Sequence, residues 1–134
     1  MAEYLFIDKI TKLKPELSKN ITISSAGTHA VHQGEISTHA KKLLNEENII
    51  CNQHQSSQIT KNIIYNNDLI LVMENIHKYN IKNIAPESLG KVFLLGHWGK
   101  NEIADPYQKD LTYFREIKQQ INQGIECWFK KMFL

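Results

Sequence analysis

The tripeptide Asp105-Pro106-Tyr107 is the part of the sequence whose residue types most clearly suggest chemistry. Proline fixes its own φ and pushes the preceding Asp105 into an extended conformation, so the segment is rigid and holds a carboxyl group beside an aromatic ring. A protonated Asp105 could donate a proton to a leaving oxygen, and Tyr107 could stack on a planar substrate. The same residues could equally form a plain turn before a helix, and the tripeptide alone leaves both interpretations open.

Histidines and cysteines offer weaker candidates for chemistry. His29 and His32 are three residues apart in a loop and could share a metal ion, but nothing nearby supplies a third ligand, so we predict no metal site. Cys51 has no helix N-terminus or cation beside it in sequence to lower its pKa, and Cys127 is expected to be buried in the last helix. Both are predicted to be reduced structural thiols of a cytoplasmic protein, and no cofactor is predicted.

Length and composition indicate one globular domain spanning residues 1–134, with 42% hydrophobic and 22% charged residues. The apolar run Leu69–Met73 is far shorter than the roughly 20 residues that cross a bilayer, so no membrane partner is predicted. No basic, apolar signal peptide opens the sequence. The net charge of +2 and a single arginine, Arg115, give no reason to expect a nucleic-acid partner.

The elements that must position these residues alternate between helices and strands. Helices are predicted from Leu5 to Leu17 with an end or kink at Pro15, from Ser37 or Thr38 to about Glu47, from Thr60 to Asn66, near 75–83, and from about Leu111 to Lys131. Strands are predicted at Ile21–Ile23, Leu69–Met73 and Lys91–Leu95, the last two buried on both faces, with a long loop at 96–110. This order predicts an α/β fold, a three-layer sandwich with a parallel sheet.

Four segments, taken in order, resemble the low-molecular-weight protein-tyrosine phosphatases, and most closely the bacterial members that act in exopolysaccharide export. They are Ser25-Ala26-Gly27-Thr28, Asp68 to Met73, Gly90 to Trp98, and Asp105-Pro106-Tyr107. The resemblance implies dephosphorylation of phosphotyrosine in proteins through a phosphocysteine, with a cytoplasmic tyrosine kinase of polysaccharide export as a reasonable partner.

The resemblance also assigns roles to five residues. Asp105 matches the general acid that protonates the tyrosine leaving group and then activates water. Tyr107 and Val31 match the two walls beside the phosphotyrosine ring. Ser25 and His54 match residues whose hydrogen bonds brace the phosphate-binding loop.

One part of the family pattern is not found in these residues, namely the Cys-x5-Arg loop that supplies the nucleophile and the phosphate clamp. Six residues after Cys51 stands Ser57, six residues after Cys127 stands Phe133, and no cysteine precedes Arg115 at the required distance. We therefore expect residues 1–134 to lack turnover by the phosphocysteine route.

The family loop is often followed by Met-Ala-Glu, and this sequence opens with Met1-Ala2-Glu3. We therefore expect that the natural product starts about 15–20 residues upstream, or that the gene is a decayed copy. The family fold also places a central strand between the strands at 21–24 and 69–73. Its loss would remove on the order of 10 kcal/mol of burial, comparable to the stability of a whole domain, and would leave open edges that favour self-association.

Two other functions stay open on the sequence. One is a non-catalytic remnant or binding module that holds a partner through the Val31 and Tyr107 surface. The other is arsenate reduction on the same scaffold, which also needs the absent nucleophile loop and ranks last.

Overall fold

The computed structural model describes residues 1–29, 36–51 and 54–134. It contains the helices α1 (Ala2–Leu13), α2 (Pro15–Ser18), α3 (Thr38–Glu46), α4 (Lys61–Tyr65), α5 (Asn75–Ile84) and α6 (Leu111–Phe133), the strands β1 (Ile70–Val72) and β2 (Val92–Leu94), and 3₁₀ turns at Pro86–Lys91 and His97–Gly99. In the part of the chain described here, no helix has the length and apolar character needed to cross a bilayer.

The N-terminal helix is interrupted at Pro15, as predicted. Helix α1 ends at Leu13, and Pro15 is the first residue of α2, a position where its missing N–H costs nothing. Leu5, Phe6 and Ile10 are buried, but Leu13 is more than half exposed, so the buried face of α1 ends at Ile10.

Side-chain caps set the start of three later helices. Ser37, Thr60 and Asp110 each accept a hydrogen bond from the backbone N–H three residues later, at 2.9–3.2 Å. Such caps satisfy N–H groups that have no partner inside the helix. The helix starts predicted near residues 38, 61 and 111 are therefore confirmed.

Strands β1 and β2 form a parallel pair in which Ile70 lies opposite Val92 and Val72 lies opposite Leu94. Helix α5 makes the crossover between them, as parallel strands require. The two strands separate two apolar clusters, which confirms the predicted helix–sheet–helix layering.

The smaller cluster lies between the sheet and helices α4 and α5, and its buried residues are Ile64, Val72, Ile81, Ala85 and Val92. The larger cluster lies on the opposite face and joins α1, α3 and α6. Its buried residues are Leu5, Phe6, Ile10, Leu44, Ile49, Cys51, Leu95, Ile103, Ile117, Ile121, Ile125, Trp128 and Phe129.

The predicted strand at Ile21–Ile23 is wrong. Residues 21–26 have no regular secondary structure, although Ile21 and Ile23 are half-buried against the larger cluster while Thr22 is exposed. The alternation is that of an extended segment, but a strand also needs a ladder partner, and among the described residues β1 pairs only with β2. Just beyond this segment, a single parallel bridge joins Gly27 to Gln58. The central strand expected between 21–24 and 69–73 stays a prediction.

Burial of the two strands is less complete than predicted. In β1 only Val72 is buried, whereas Leu69, Ile70, Leu71 and Met73 are half-buried. A strand is covered on both faces only where a wide sheet and full helical layers surround it, and this sheet has two described strands.

At the C-terminal end of α6, Cys127 is exposed although it is expected to be buried, and Met132 is 44% exposed. Phe129 is buried instead, with the ammonium group of Lys9 on α1 lying 5.5 Å from its ring centre. Helix α1 therefore covers the Phe129 side of α6 and leaves the Met132 side open.

Candidate active site

Asp105 and Tyr107 lie on the loop before α6, and both are exposed. The Asp105 Oδ1 accepts a hydrogen bond from the Tyr107 backbone N–H at 3.0 Å, which folds the carboxyl group over the turn that Pro106 stiffens. The Tyr107 side chain is 69% exposed. The carboxyl group and the aromatic ring are thus adjacent and open to solvent, the arrangement that a proton donor beside a planar substrate requires.

A buried residue fixes this loop to the sheet. Ile103 is fully buried, and its N–H donates to the carbonyl oxygen of Met73, the residue that follows β1, at 2.9 Å. In parallel α/β sheets, ligands bind in the crevice at the carboxyl ends of the strands. The Asp105 loop therefore begins at the edge of the sheet where a site is expected.

A closed turn precedes this anchor. The Asn101 N–H donates to the Gly96 carbonyl at 3.1 Å, and a Cβ atom on Gly96 would lie only 2.2 Å from the Asn101 carbonyl oxygen. Residue 96 must therefore be glycine for the chain to close here. The turn therefore fixes the position from which the segment 102–107 continues.

Ser25 and His54 are brought together by a third residue, Glu3, which the sequence analysis did not identify. The Ser25 Oγ donates to Glu3 Oε2 at 2.7 Å, and His54 Nδ1 lies 3.6 Å from the same oxygen. The side chains of Glu3 and His54 are each more than four-fifths buried. The signal that could have found Glu3 is an acidic residue in the first turn of a helix, where the macrodipole favours negative charge.

Tyr4 and Cys51 complete the surroundings of this trio. The Tyr4 ring meets the His54 ring edge-on, with centres 5.5 Å apart. Partial burial, and after it the charges of Glu3 and Cys51, raise the pKa of the Tyr4 phenol. Cys51 is only 3% exposed, as expected of a structural thiol.

The Asp105 loop and the trio of Glu3, Ser25 and His54 do not contact each other through hydrogen bonds or ion pairs in the described residues. Val31, predicted as the second wall of the substrate site, lies outside the described residues. Two surface cavities of about 350 and 300 Å³ lie elsewhere, one beside the 3₁₀ turn at Pro86–Lys91 and one between α1 and α6.

No group of three or more metal-binding side chains is found in residues 1–29, 36–51 and 54–134. His29 is exposed, and His32 lies outside the described residues.

Arg115, the single arginine, is already engaged at the surface. Its Nη1 and Nη2 donate to the two carboxylate oxygens of Glu46, each at 2.8 Å. Its hydrogen bonds, more than its charge, lower the pKa of Glu46. Arg115 therefore joins α6 to α3 and is not placed as a phosphate clamp.

Comparison with known proteins identifies the family of the chain. The low molecular weight phosphotyrosine protein phosphatase family matches residues 1–133. A Klebsiella pneumoniae protein assigned to the low molecular weight protein-tyrosine-phosphatases is 39% identical over 116 residues, which is 86% of this chain and 79% of that protein.

Solved structures give the same result for the fold. Wzb from Vibrio vulnificus, in complex with benzylphosphonate, has a TM-score of 0.85 at 32% identity, covering 98% of this chain and 88% of that one. The YwlE arginine phosphatase from Geobacillus stearothermophilus also has a TM-score of 0.85, at 29% identity over 98% of this chain and 82% of that one. With its parallel strands, its Asp-Pro-Tyr loop and this family match over nearly every residue, the chain belongs to the low molecular weight phosphotyrosine protein phosphatases.

Proposed function

We propose that this chain acts on phosphotyrosine in proteins as a protein-tyrosine phosphatase, with Asp105 as its general acid, if it is joined to a Cys-x5-Arg loop. The observation that supports the proposal most is the position of Asp105. Its carboxyl group is exposed, lies beside Tyr107, and follows a loop held to the carboxyl end of β1 by Ile103.

The proposed reaction has two steps. A cysteine thiolate forms a bond to phosphorus while the bond from phosphorus to the tyrosine oxygen breaks, and Asp105 gives its proton to that oxygen. Water then attacks the phosphocysteine, and Asp105 takes a proton from the water as the thiolate leaves. Tyr107 and Val31 would flank the aromatic ring of the substrate, and the trio of Glu3, Ser25 and His54 would brace the phosphate-binding loop.

Neither cysteine of residues 1–134 is suited to be this nucleophile. Cys51 is buried and has Ser57 six residues later, and Cys127 has Phe133 six residues later, so neither cysteine has an arginine at the family distance. Arg115 is held by Glu46. We therefore expect that residues 1–134 alone do not turn over an aryl phosphate.

The proposed substrate is a phosphotyrosine protein, and a bacterial tyrosine kinase of polysaccharide export is the proposed partner. A phosphoarginine protein is the alternative to be tested, because a relative of equal structural similarity is an arginine phosphatase.

The test compares residues 1–134 with the same chain joined at Met1 to a strand and a Cys-x5-Arg-Ser-Pro segment. We expect no hydrolysis of an aryl phosphate by residues 1–134 and measurable hydrolysis by the joined chain. Phosphotyrosine and phosphoarginine peptides, assayed for phosphate release, give the substrate class. A joined chain that neither binds nor hydrolyses phosphotyrosine would favour the non-catalytic binding module, which should have little affinity for phosphate.

The control replaces a second exposed aspartate, Asp68, which precedes β1 at the opposite end of the strand. In the joined chain, Asp105→Asn is expected to lower kcat by about 10²–10⁴-fold, whereas Asp68→Asn should leave it within about twofold. Hydrolysis by residues 1–134 that Asp105→Asn abolishes would contradict the proposal that these residues alone lack turnover.

A further inference from the structure

Glu102 joins the Asp105 loop to a second element of the fold. Its Oε1 accepts a hydrogen bond from the backbone N–H of Asn75 at 2.7 Å. Asn75 is the first residue of α5, so its N–H has no acceptor within the helix. A carboxylate at this position also interacts favourably with the positive end of the helix macrodipole.

Two consecutive residues therefore attach the loop to two different elements. Glu102 reaches the N-terminus of α5, while the N–H of the fully buried Ile103 reaches the Met73 carbonyl beyond β1. Met73 and Asn75 are themselves only two residues apart, where the chain passes from β1 into α5. One anchor is a side-chain contact and the other a backbone contact, so together they restrict both the position and the rotation of the loop.

Asp105 lies immediately after these anchors. Asp105 is three positions after Glu102 in sequence, a stretch of chain that spans at most about 11 Å when extended. The methyl group of Ala104 is too small to fix the loop by packing. On the other side of Asp105, Pro106 restricts the backbone dihedral angles. The anchors at 102 and 103 and the turn at 105–107 thus define where the carboxyl group is held.

We propose that Glu102 is a positioning residue for Asp105, acting through its hydrogen bond to the N-terminus of α5. The inference rests on the proposed function, in which Asp105 is the proton donor. General-acid catalysis requires that the donor be held within hydrogen-bond distance of the leaving oxygen, and small displacements of a catalytic group are costly.

The test measures amide hydrogen exchange and amide NMR shifts of residues 1–134, neither of which needs turnover. In Glu102→Ala the amides of Asn75 and Ile103 are expected to exchange about fivefold faster or more. The Tyr107 amide shift should also move, because this N–H donates to the Asp105 carboxyl group. Glu102→Gln keeps an acceptor oxygen and should restore most of the Tyr107 shift.

A second variant removes the donor instead of the acceptor. Asn75→Pro suits the first position of a helix, and Glu74 already has the extended conformation that a following proline requires, with φ −132° and ψ 156°. Asn75→Pro should change the exchange rate of the Ile103 amide and the chemical shift of the Tyr107 amide as Glu102→Ala does. In the double variant of Glu102→Ala and Asn75→Pro, these two changes should be no larger than in either single variant.

The matched control is Glu116→Ala, which removes the same charge from an exposed position on α6 and should change none of these amides. Unchanged Ile103 exchange and Tyr107 shift in Glu102→Ala would overturn the proposal and leave Ile103 as the sole anchor. A role of Asp105 other than proton donor would instead show in phosphatase kinetics and leave these amide measurements as expected, so the two failures are distinguishable.

Discussion

At the scale of single residues, the charged side chains divide into those that hold helices together and those available for chemistry. Arg115 and Lys118 on α6 contact Glu46 and Glu47 at the end of α3, and Glu46 receives two parallel hydrogen bonds. By contrast, the one donor to the Asp105 carboxyl group among the described residues is the backbone N–H of Tyr107. The resemblance points to Asp105, Ser25 and His54, but the meeting of Ser25 and His54 at Glu3 could not be predicted, because these three residues are distant in sequence and come together only after folding.

The Glu46–Arg115 pair predicts a pH dependence of stability. Because the folded pKa of Glu46 is lowered from 4.5, the folded state binds fewer protons than the unfolded state as the pH falls. The stabilisation is therefore present above 4.5 and lost as the pH falls through the lowered folded value.

Arg115→Ala should accordingly reduce the free energy of unfolding more at pH 7 than at about pH 3, because Glu46 becomes protonated as the pH falls below its ordinary range. Urea unfolding at both pH values measures the difference, and added salt should shrink it at pH 7 because both groups are exposed. An equal loss at both pH values would mean that Arg115 acts through packing rather than through the ion pair.

At the scale of elements, local signals were sufficient for the helices and for strands β1 and β2, but not for the segment Ile21–Ile23. Ser37 and Thr60 cap helices as their sequence context predicts, and Pro15 divides the first helix. Helix caps and proline breaks depend on residues that are close in sequence, so they can be predicted from the sequence alone. Whether Ile21–Ile23 becomes a strand depends on a partner elsewhere in the fold, which hydrophobic alternation cannot provide.

The close approach of α6 to the end of β2 gives a prediction about Gly124. A Cβ atom there would lie 2.8 Å from the Leu95 carbonyl oxygen, so either the helix or the backbone of Leu95 must shift. Alanine favours a helix over glycine by about 1 kcal/mol, but overpacking costs about 1–3 kcal/mol. Gly124→Ala should therefore be neutral to destabilising by about 2 kcal/mol, despite the better helix former.

Gly90→Ala is the matched control, because a Cβ atom at residue 90 would meet nothing within 4 Å. Its free energy of unfolding should change by less than about 0.5 kcal/mol. Denaturant unfolding of both variants measures the contrast. A clear stabilisation by Gly124→Ala would contradict the tight contact between α6 and Leu95.

At the scale of the whole molecule, two helical layers enclose a sheet of two described strands. Trp128 connects helix α6 to the sheet, because its Nε1 atom donates to the carbonyl oxygens of Leu94 and Leu95, at 3.2 and 3.0 Å. Among the described residues, β1 pairs with β2 on one edge only, and Leu69 and Leu71 stay half-buried. An unpaired edge of this kind readily pairs with another chain.

Residues 1–134 are therefore expected to self-associate. Sedimentation velocity over a range of protein concentrations should show species larger than the monomer that increase with concentration. The joined chain described above, in which a strand is available to pair with β1, should remain monomeric under the same conditions. A monomer at every concentration for residues 1–134 would contradict this prediction.

The central claim is that Asp105 protonates the departing tyrosine oxygen, and the dependence of its effect on the leaving group tests that claim most directly. The measurement is the ratio of kcat/KM between the joined chain and its Asp105→Asn variant, because kcat/KM contains the steps up to departure of the leaving group and not the later hydrolysis of the phosphocysteine. It is taken with phosphotyrosine, whose phenolate needs a proton, and with dinitrophenyl phosphate, whose anion leaves readily without one. The expected ratio is about 10²–10⁴ for phosphotyrosine and close to one for dinitrophenyl phosphate. Equal ratios for the two substrates would show that Asp105 does not donate the proton.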